Sequence, residues 1–516
     1  MTMPHTPYLA AGPDVDGPRR ALILAGGGMR VAYQAGVLQA LDEAGLRFSY
    51  ADGTSGGIMN VAMLCSGLAP HEMAARWRAL DVGEFVSFRS VRQYLKGPQM
   101  GAMGDADGIR RDVFPHLGID VPTIRAAEGL DARFNVCNFT QKTNEAIPHP
   151  DVTLDHLIAG ISLPIFLPAV DIDGTTYTDA VWIQDANLLD AVRNGAQELW
   201  VVWIIGNTPV YSDGLFEQYV HMIEMSACGA LHRDFARIRA INARILQGER
   251  VHGHTEPIRL HLIKPPTPLP LDPAYFFGSI DGASLVNMGY ADAKAYLDRM
   301  APDGLPFHPE TTQMDMPNPG IRFRETMEGA FALGTTEPED GAERGRRDGH
   351  TLALHATISI DDIDRFVDDP DHAGRLDAHV DFMPFGEGIP GHRGVFNLFA
   401  PSDAPDTKWM VYEVAFRHDG QDYYLAGKKR VRDDPGFDLW SDTTTLYTRL
   451  HEGPDASGPV VGAGVLRLGV DDLVRLVSTM RATNADALAE KTRAIGTFGR
   501  FFLGELWSQY ASQAPT

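Results

Sequence analysis

Residues 21–57 read ALILAGGGMRVAYQAGVLQALDEAGLRFSYADGTSGG, and their order decides the fold. A short apolar run, Ala21–Leu24, enters the triple glycine Gly26-Gly27-Gly28, with Arg30 two positions on. A stretch of helical periodicity, Val31–Ala44, follows, and then Gly53-Thr54-Ser55-Gly56-Gly57. That pentapeptide has the G-x-S-x-G form of a nucleophile elbow, whose glycines make room for a serine raised on a sharp strand-to-helix turn. In a chain with 52 glycines the pentapeptide is weak by itself. Behind a strand and a glycine turn, it becomes a candidate nucleophile with a candidate oxyanion hole. The same order of elements opens a dinucleotide-binding unit, but that fingerprint needs a third glycine where this chain has Val31. No G-x-x-x-x-G-K-[ST] phosphate loop occurs.

On these residues the segment resembles the start of the patatin-like phospholipases, bacterial branch. The similarity continues through Ile161-Ser162-Leu163-Pro164-Ile165-Phe166-Leu167-Pro168, Asp173-Gly174 and Tyr177-Thr178-Asp179, then Gly195-Ala196 and the apolar run Leu199–Ile205. His261–Pro265 and Leu285–Leu297 are similar to the family's closing strand and helix, so the resemblance covers roughly residues 17–300. It implies an α/β fold, a three-layer sandwich around a mostly parallel sheet. It implies Ser55 as nucleophile and Asp179 as its base, acting as a dyad on the acyl ester of a phospholipid, lysophospholipid or similar lipid, with no cofactor. The oxyanion hole falls on the Gly26-Gly27-Gly28 turn and Gly56, with Arg30 fixing or electrostatically assisting the loop. A carboxylate suits the base role only when burial raises its pKa. Where the family writes Asp-Gly-Gly or Asp-Gly-Ala, this chain has Asp179-Ala180-Val181. If that position needs a positive φ, alanine costs on the order of 1 kcal/mol. Asp185 stands where the family tends to have asparagine, and a supporting role is expected of it.

Other readings of the same residues stay open. Ser55 would also serve as a helix cap, Asp179 as an ordinary loop carboxylate, and Arg30 as a surface ion-pair partner. The matching alternative functions are a lipid-binding or scaffold protein, suggested by Ala180, and an acyltransferase using the same acyl-enzyme. The 18 histidines show no H-E-x-x-H or comparable spacing, so no metal site is expected. Asp105-Ala106-Asp107-Gly108 resembles the start of a calcium loop but lacks the glutamate at loop position 12, and reads as a turn.

At 516 residues the chain is long enough for two or three domains. A net charge of −23 argues against nucleic acid and against tight electrostatic binding to anionic membranes, though it leaves peripheral contact and homo-oligomers open. No run of about 20 apolar residues and no apolar N-terminal h-region is present. Cys65, Cys137 and Cys228 form no disulfide framework, and a cytoplasmic location is expected.

The expected organisation is a disordered tail over 1–16, the α/β domain over 17–305, a linker over 306–350 and a β-rich accessory domain over 351–516. Candidate strands in the first domain are Ala21–Leu24, Arg133–Cys137, Leu199–Ile204 and Arg259–Leu262, with a long helix from about Phe216 to Gln247. The stretch between Val82 and Pro115 reads as a lid or a plain surface loop. Residues 334–350 (GTTEPEDGAERGRRDGH) are charged and glycine-rich, the composition of a linker. Beyond them, Ala353–Ile360, Leu376–Phe382, Gly394–Leu398, Met410–Arg417 and Asp422–Lys428 are strand-like and separated by turn residues, the pattern of an antiparallel domain. Two helices, Asp471–Thr483 and Asp486–Tyr510, are expected to close it, the second placing Phe498, Phe502, Leu506 and Tyr510 on one stripe. Ile358–Asp362 and Arg432–Thr445 give this half a slight similarity to an accessory region of bacterial flavin oxidoreductases related to cholesterol oxidase. No flavin motif accompanies it.

Overall fold

The structure is a computed structural model. It describes residues 3–11, 17–80, 87–88, 102–207, 211, 214–269, 281–315, 318–401, 407–432, 444–469, 479–485 and 488–511. The chain divides into two compact units, Met1–Met316 and Pro317–Thr516.

The first unit is built on eight strands: β1 (Arg20–Leu24), β2 (Tyr50–Thr54), β3 (Asp131–Asn138), β4 (Thr143–Pro148), β5 (Val170–Ile172), β6 (Thr175–Asp179), β7 (Glu198–Val202) and β8 (Arg259–Ile263). They lie in the order β8-β7-β1-β2-β3-β6-β5, with β4 also paired to β3. The run β8 to β3 is parallel. β4, β5 and β6 are joined antiparallel, so the sheet is mixed rather than mostly parallel across its whole width.

Side chains along β1 alternate between two cores, as strand geometry requires. Leu22 and Leu24 share one with Val37 and Leu38 of α1 (Ala32–Glu43), Ile58 and Val61 of α2 (Gly57–Cys65), and Leu285 and Met288 of α6 (Gly282–Arg299). Ala21 and Ile23 share the other with Leu188 and Val192 of α4 (Leu188–Arg193) and with Phe235 and Ile238 of α5 (Leu215–Leu246). On the first face α3 (Pro70–Ala79) adds Met73 and Trp77. Helices therefore cover both faces, giving three layers.

Residues 3–11 do not behave as the disordered tail that the polar N-terminus suggested. Leu9 is buried, its carbonyl accepts from Phe48 N at 2.8 Å, and Ala11 N donates to Phe48 O at 2.7 Å. Pro7, Leu9 and Ala10 are buried within this otherwise polar stretch and anchor it. Most of the expected lid stretch, 82–86 and 89–101, lies outside the described residues.

The second unit is an eight-stranded antiparallel meander closed on itself: β9 (Gly320–Leu333), β10 (Thr351–Ile360), β11 (Ala373–Phe382), β12 (Gly386–Pro401), β13 (Thr407–His418), β14 (Gln421–Arg432), β15 (Thr445–Glu452) and β16 (Val460–Leu468). β9 pairs with both β10 and β16, which makes a barrel. Strands, not helices, close this domain, so that expectation is corrected. Alternate residues such as Leu354, Ile358, Leu376, Val380, Tyr412, Leu425 and Leu466 fill the interior. Glu325 and Lys429 share that inward parity, 1% and 2% exposed and 3.6 Å apart, with the Lys429 ammonium 4.5 Å from the Tyr412 ring centre.

Three further expectations change here. The linker composition of 334–350 hides a helix, α7 (Pro338–Asp348), packed on the barrel wall. A Cβ at Gly341 would meet Ala463 O at 2.0 Å, so glycine there serves close approach and not flexibility. β9 also lies inside the supposed linker. Of the expected helix Asp471–Thr483, residues 471–478 lie outside the described set, and Arg481–Thr483 form a short strand, β17, paired with β9. The last helix, α8 (Leu488–Ala511), does form, and Phe498 packs against Phe323 with ring centres 5.7 Å apart. Phe502 packs against Phe399, whereas the side chains of Leu506 and Tyr510 are outside the described set. Residues 433–443, which carry most of the second resemblance, are likewise outside it.

Candidate active site

The parallel strands β1 and β2 end side by side, and both candidate loops grow from those ends. After β2 the chain reverses at Ser55, which holds φ at 51° and is 7% exposed. A side chain in this left-handed region is strained, and such strain concentrates at functional positions. The turn fits because Gly57 backs directly onto β1, where a Cβ would meet Leu24 O at 2.1 Å.

After β1, Gly26 lies between Ser55 and Asp185. A Cβ there would stand 2.5 Å from Asp185 Oδ1 and 2.8 Å from Ser55 Cβ. Gly26 N donates to Asp185 Oδ1 at 2.9 Å, so this N–H holds the loop and is committed to that bond. Gly28 follows with φ 58°. Two side chains fix the peptide planes of the turn: Gln34 Nε2 donates to Ala25 O at 2.6 Å, and Arg30 Nε to Gly27 O at 3.0 Å. In a trans peptide the N–H points opposite to the C=O, so the Arg30 bond also sets the direction of the Gly28 N–H. Gln34 is itself braced: Asn60 Nδ2 donates to its Oε1 at 2.9 Å, and Trp77 Nε1 donates to Asn60 Oδ1 at 2.8 Å.

Asp179, fully buried at the end of β6, faces this turn. Its backbone N donates to Ser162 O at 3.1 Å, and Thr178 Oγ1 donates to the same carbonyl at 2.6 Å. The stretch that begins Ile161-Ser162-Leu163-Pro164 thus positions the carboxylate. Asp179 Oδ1 accepts from Val181 N at 2.9 Å, while the buried Oδ2 has no hydrogen-bond partner. Burial raises the carboxyl pKa to about 7, opposed by the nearby Ser55 hydroxyl and the Val181 N–H. Ala180 does not have a positive φ, so the alanine in place of the family glycine carries no left-handed strain.

Two more buried carboxyls stand behind the site. Burial raises Asp185 to about 8; the Gly26 N–H and the Arg30 charge oppose the rise, while the charges of Asp179 and Asp52 add to it. Asp185 Oδ2, like Asp179 Oδ2, is buried without a partner. Asp52 accepts from Asn135 Nδ2 at 2.6 Å and is raised to about 8 by burial. Beside Asp179, the rings of Phe166 and Trp182 lie 5.6 and 5.7 Å from that of Tyr219, whose pKa is raised by burial and by the Asp179 charge.

The structure therefore brings together Gly26, Gly27, Gly28, Arg30, Ser55, Gly56, Asp179 and Asp185. Sequence reasoning missed Asp52, Gln34, Asn60 and Trp77. Only a polar residue at an otherwise apolar position, such as Asn60 in GIMNVAMLC, could have flagged one of them. Among the described residues no helix is long and apolar enough to cross a membrane. No curated protein matches the chain. Residues 22–192, about a third of its length, match the family model of the patatin-like phospholipases, a lipid-hydrolase family, and every residue of the site just described except Tyr219 lies within that stretch.

Proposed function

We propose that the first unit is a serine acyl hydrolase that cleaves lipid esters through Ser55 and Asp179. The observation that carries this reading is the buried, unpartnered Asp179 Oδ2 beside a serine held on a strained turn. A carboxylate with pKa about 7 is matched to taking a hydroxyl proton near neutral pH. Ser55 Oγ attacks the ester carbonyl as its proton passes to Asp179. The resulting oxyanion is received by the Gly27 and Gly28 N–H groups, joined by Gly56, since Gly26 is engaged by Asp185. Collapse expels the alcohol, which takes the proton from Asp179 and leaves an acyl-Ser55 ester. Water, deprotonated by Asp179, then releases the fatty acid. The Phe166–Trp182–Tyr219 group offers an apolar wall for the acyl chain.

An alcohol acceptor in place of water would make the same intermediate a transferase. The scaffold reading loses its motive, because it rested on strain at Ala180 and that residue has no positive φ. A reducing, cytoplasmic location fits the three unpaired, buried cysteines. The test is hydrolysis of a chain-length series of p-nitrophenyl esters by the wild type, Ser55→Ala and Asp179→Asn. Both variants are expected to lose at least ~1000-fold in kcat. Residual Ser55→Ala activity near the wild-type rate would remove the serine from the mechanism.

A further inference from the structure

We propose that the outer wall of the barrel carries a binding site for a divalent transition metal, formed by His355, His379 and Asp381. The inward-facing residues of β10 are Leu352, Leu354, Ala356, Ile358 and Ile360, and those of β11 are Leu376, Ala378, Val380 and Phe382. His355, His379 and Asp381 therefore share the opposite, outward face. The register places them together: Thr326, His355 and His379 are direct cross-strand neighbours on β9, β10 and β11, and Asp381 is two residues beyond His379. One donor atom from each of the three residues lies within 4.8 Å of the other two. No helical ligand spacing could have marked this site, because its members sit on adjacent strands.

His355 and Asp381 stand close to ligand spacing, and the His379 ring must turn out of its stack on His355 to join them, because a coordinating imidazole holds the ion in its own ring plane. His355 Nε2 is 3.0 Å from Asp381 Oδ2, close to the separation of two donors on one metal with bonds of about 2.0–2.2 Å. The other atoms of both groups are anchored: His355 Nδ1 lies 3.1 Å from Thr326 Oγ1, and Gly388 N donates to Asp381 Oδ1. Such outer contacts fix ring orientation and hold the carboxylate. The His355 and His379 rings stack at 4.5 Å and 13°. A tetrahedral ion needs the widest donor gap to close by at most roughly 1.5 Å, within reach of side-chain rotation. His355 and Asp381 side chains are 31% and 35% exposed, so water can complete the coordination sphere. Two imidazoles and one carboxylate suit Zn²⁺, Co²⁺ or Ni²⁺ better than Mg²⁺ or Ca²⁺, which take oxygen ligands. A bare His355–Asp381 ion pair would give the same contact between those two residues, and the metal titration below separates the two readings.

The experiment uses the full, tag-free chain stripped with EDTA and titrated with Co²⁺ by visible absorption and with Zn²⁺ by calorimetry. One equivalent is expected to bind, with the d–d absorption of low-coordinate cobalt. His355→Gln and Asp381→Asn should each weaken this binding at least ~10-fold, and Thr326→Val, which removes only the outer contact, roughly 10-fold. Circular dichroism checks folding; should a histidine variant fail to fold, the outward-facing Asp381→Asn and Thr326→Val carry the test. A wild type that binds no more metal than His355→Gln/His379→Gln overturns the proposal, as does binding unchanged in Asp381→Asn and Thr326→Val.

Discussion

Replacing Asp185 by asparagine should change the alkaline side of the pH–activity profile and little else. Asp185 has a pKa of about 8 and donates nothing to Gly26; its Oδ1 only accepts the Gly26 N–H, which an amide oxygen does equally well. At pH 7 roughly nine-tenths of it is neutral, so the variant should run within about twofold of the wild type. Above pH 8 the wild type gains a negative charge within roughly 5 Å of Ser55 Cβ, given the two contacts around Gly26. At an effective dielectric of about 20, a charge that close opposes a developing oxyanion by about 3 kcal/mol, or about 100-fold in rate. The wild-type kcat/KM should rise through about pH 7 as Asp179 ionises. It should then fall above about pH 8, whereas Asp185→Asn should stay on its plateau and exceed the wild type about tenfold at pH 9. The assay is kcat/KM for a soluble short-chain ester from pH 5 to 9.5. Superimposable profiles would refute the reasoning, and so would a variant crippled equally at every pH. Stability gives a second reading of the same carboxyl. Its folded pKa lies above the unfolded value near 3.9, so its contribution is full below about pH 4 and lost as pH rises toward 8. Asp185→Asn should therefore gain on the wild type by up to ~1.4 kcal/mol per pH unit across that window, measured by urea denaturation.

Gly26→Ala should lower kcat at least ~100-fold, because its Cβ displaces Ser55 or Asp185 from opposite sides; a kcat within tenfold of wild type would mean the turn is looser than its contacts imply. Arg30→Met removes the bond to Gly27 O and should reduce kcat by about 10- to 100-fold with KM little changed, checked by steady-state kinetics. In the barrel, Lys429→Met leaves Glu325 buried and unpaired and should cost about 3–5 kcal/mol in urea unfolding. Replacing both residues with apolar ones should restore most of that loss.

How much of this was legible beforehand depended on how local each signal was. Ser55 and the glycine turn were readable because their backbone demands fall on consecutive residues, and Asp179 because a long matching block leads up to it. The bonds that hold the site together were not readable. Asp185 to Gly26 spans 159 residues, and the Trp77–Asn60–Gln34 relay joins three helices through side chains that look ordinary in sequence. In the second unit, period-two alternation marked most strands correctly. Composition misled at 334–350, where Gly341 and Gly345 pack close to the barrel wall and Pro338 and Gly349 sit at the ends of a helix. Closure of the sheet was invisible because β9 mixes glycine with charged residues and its second partner, β16, lies far along the chain.

That last pairing sets a condition on how the barrel can be made. Phe331 faces Gly464, so the first strand of the meander waits for the last, and every strand between them must be present before the seam is sealed. A contact of such high sequence separation is entropically expensive to form early and slows folding. Until β16 emerges from the ribosome, β9 and the growing end of the sheet each present an unpaired edge to other chains. A fragment ending before Val460 would keep those edges permanently, and should aggregate even though every residue it retains is native.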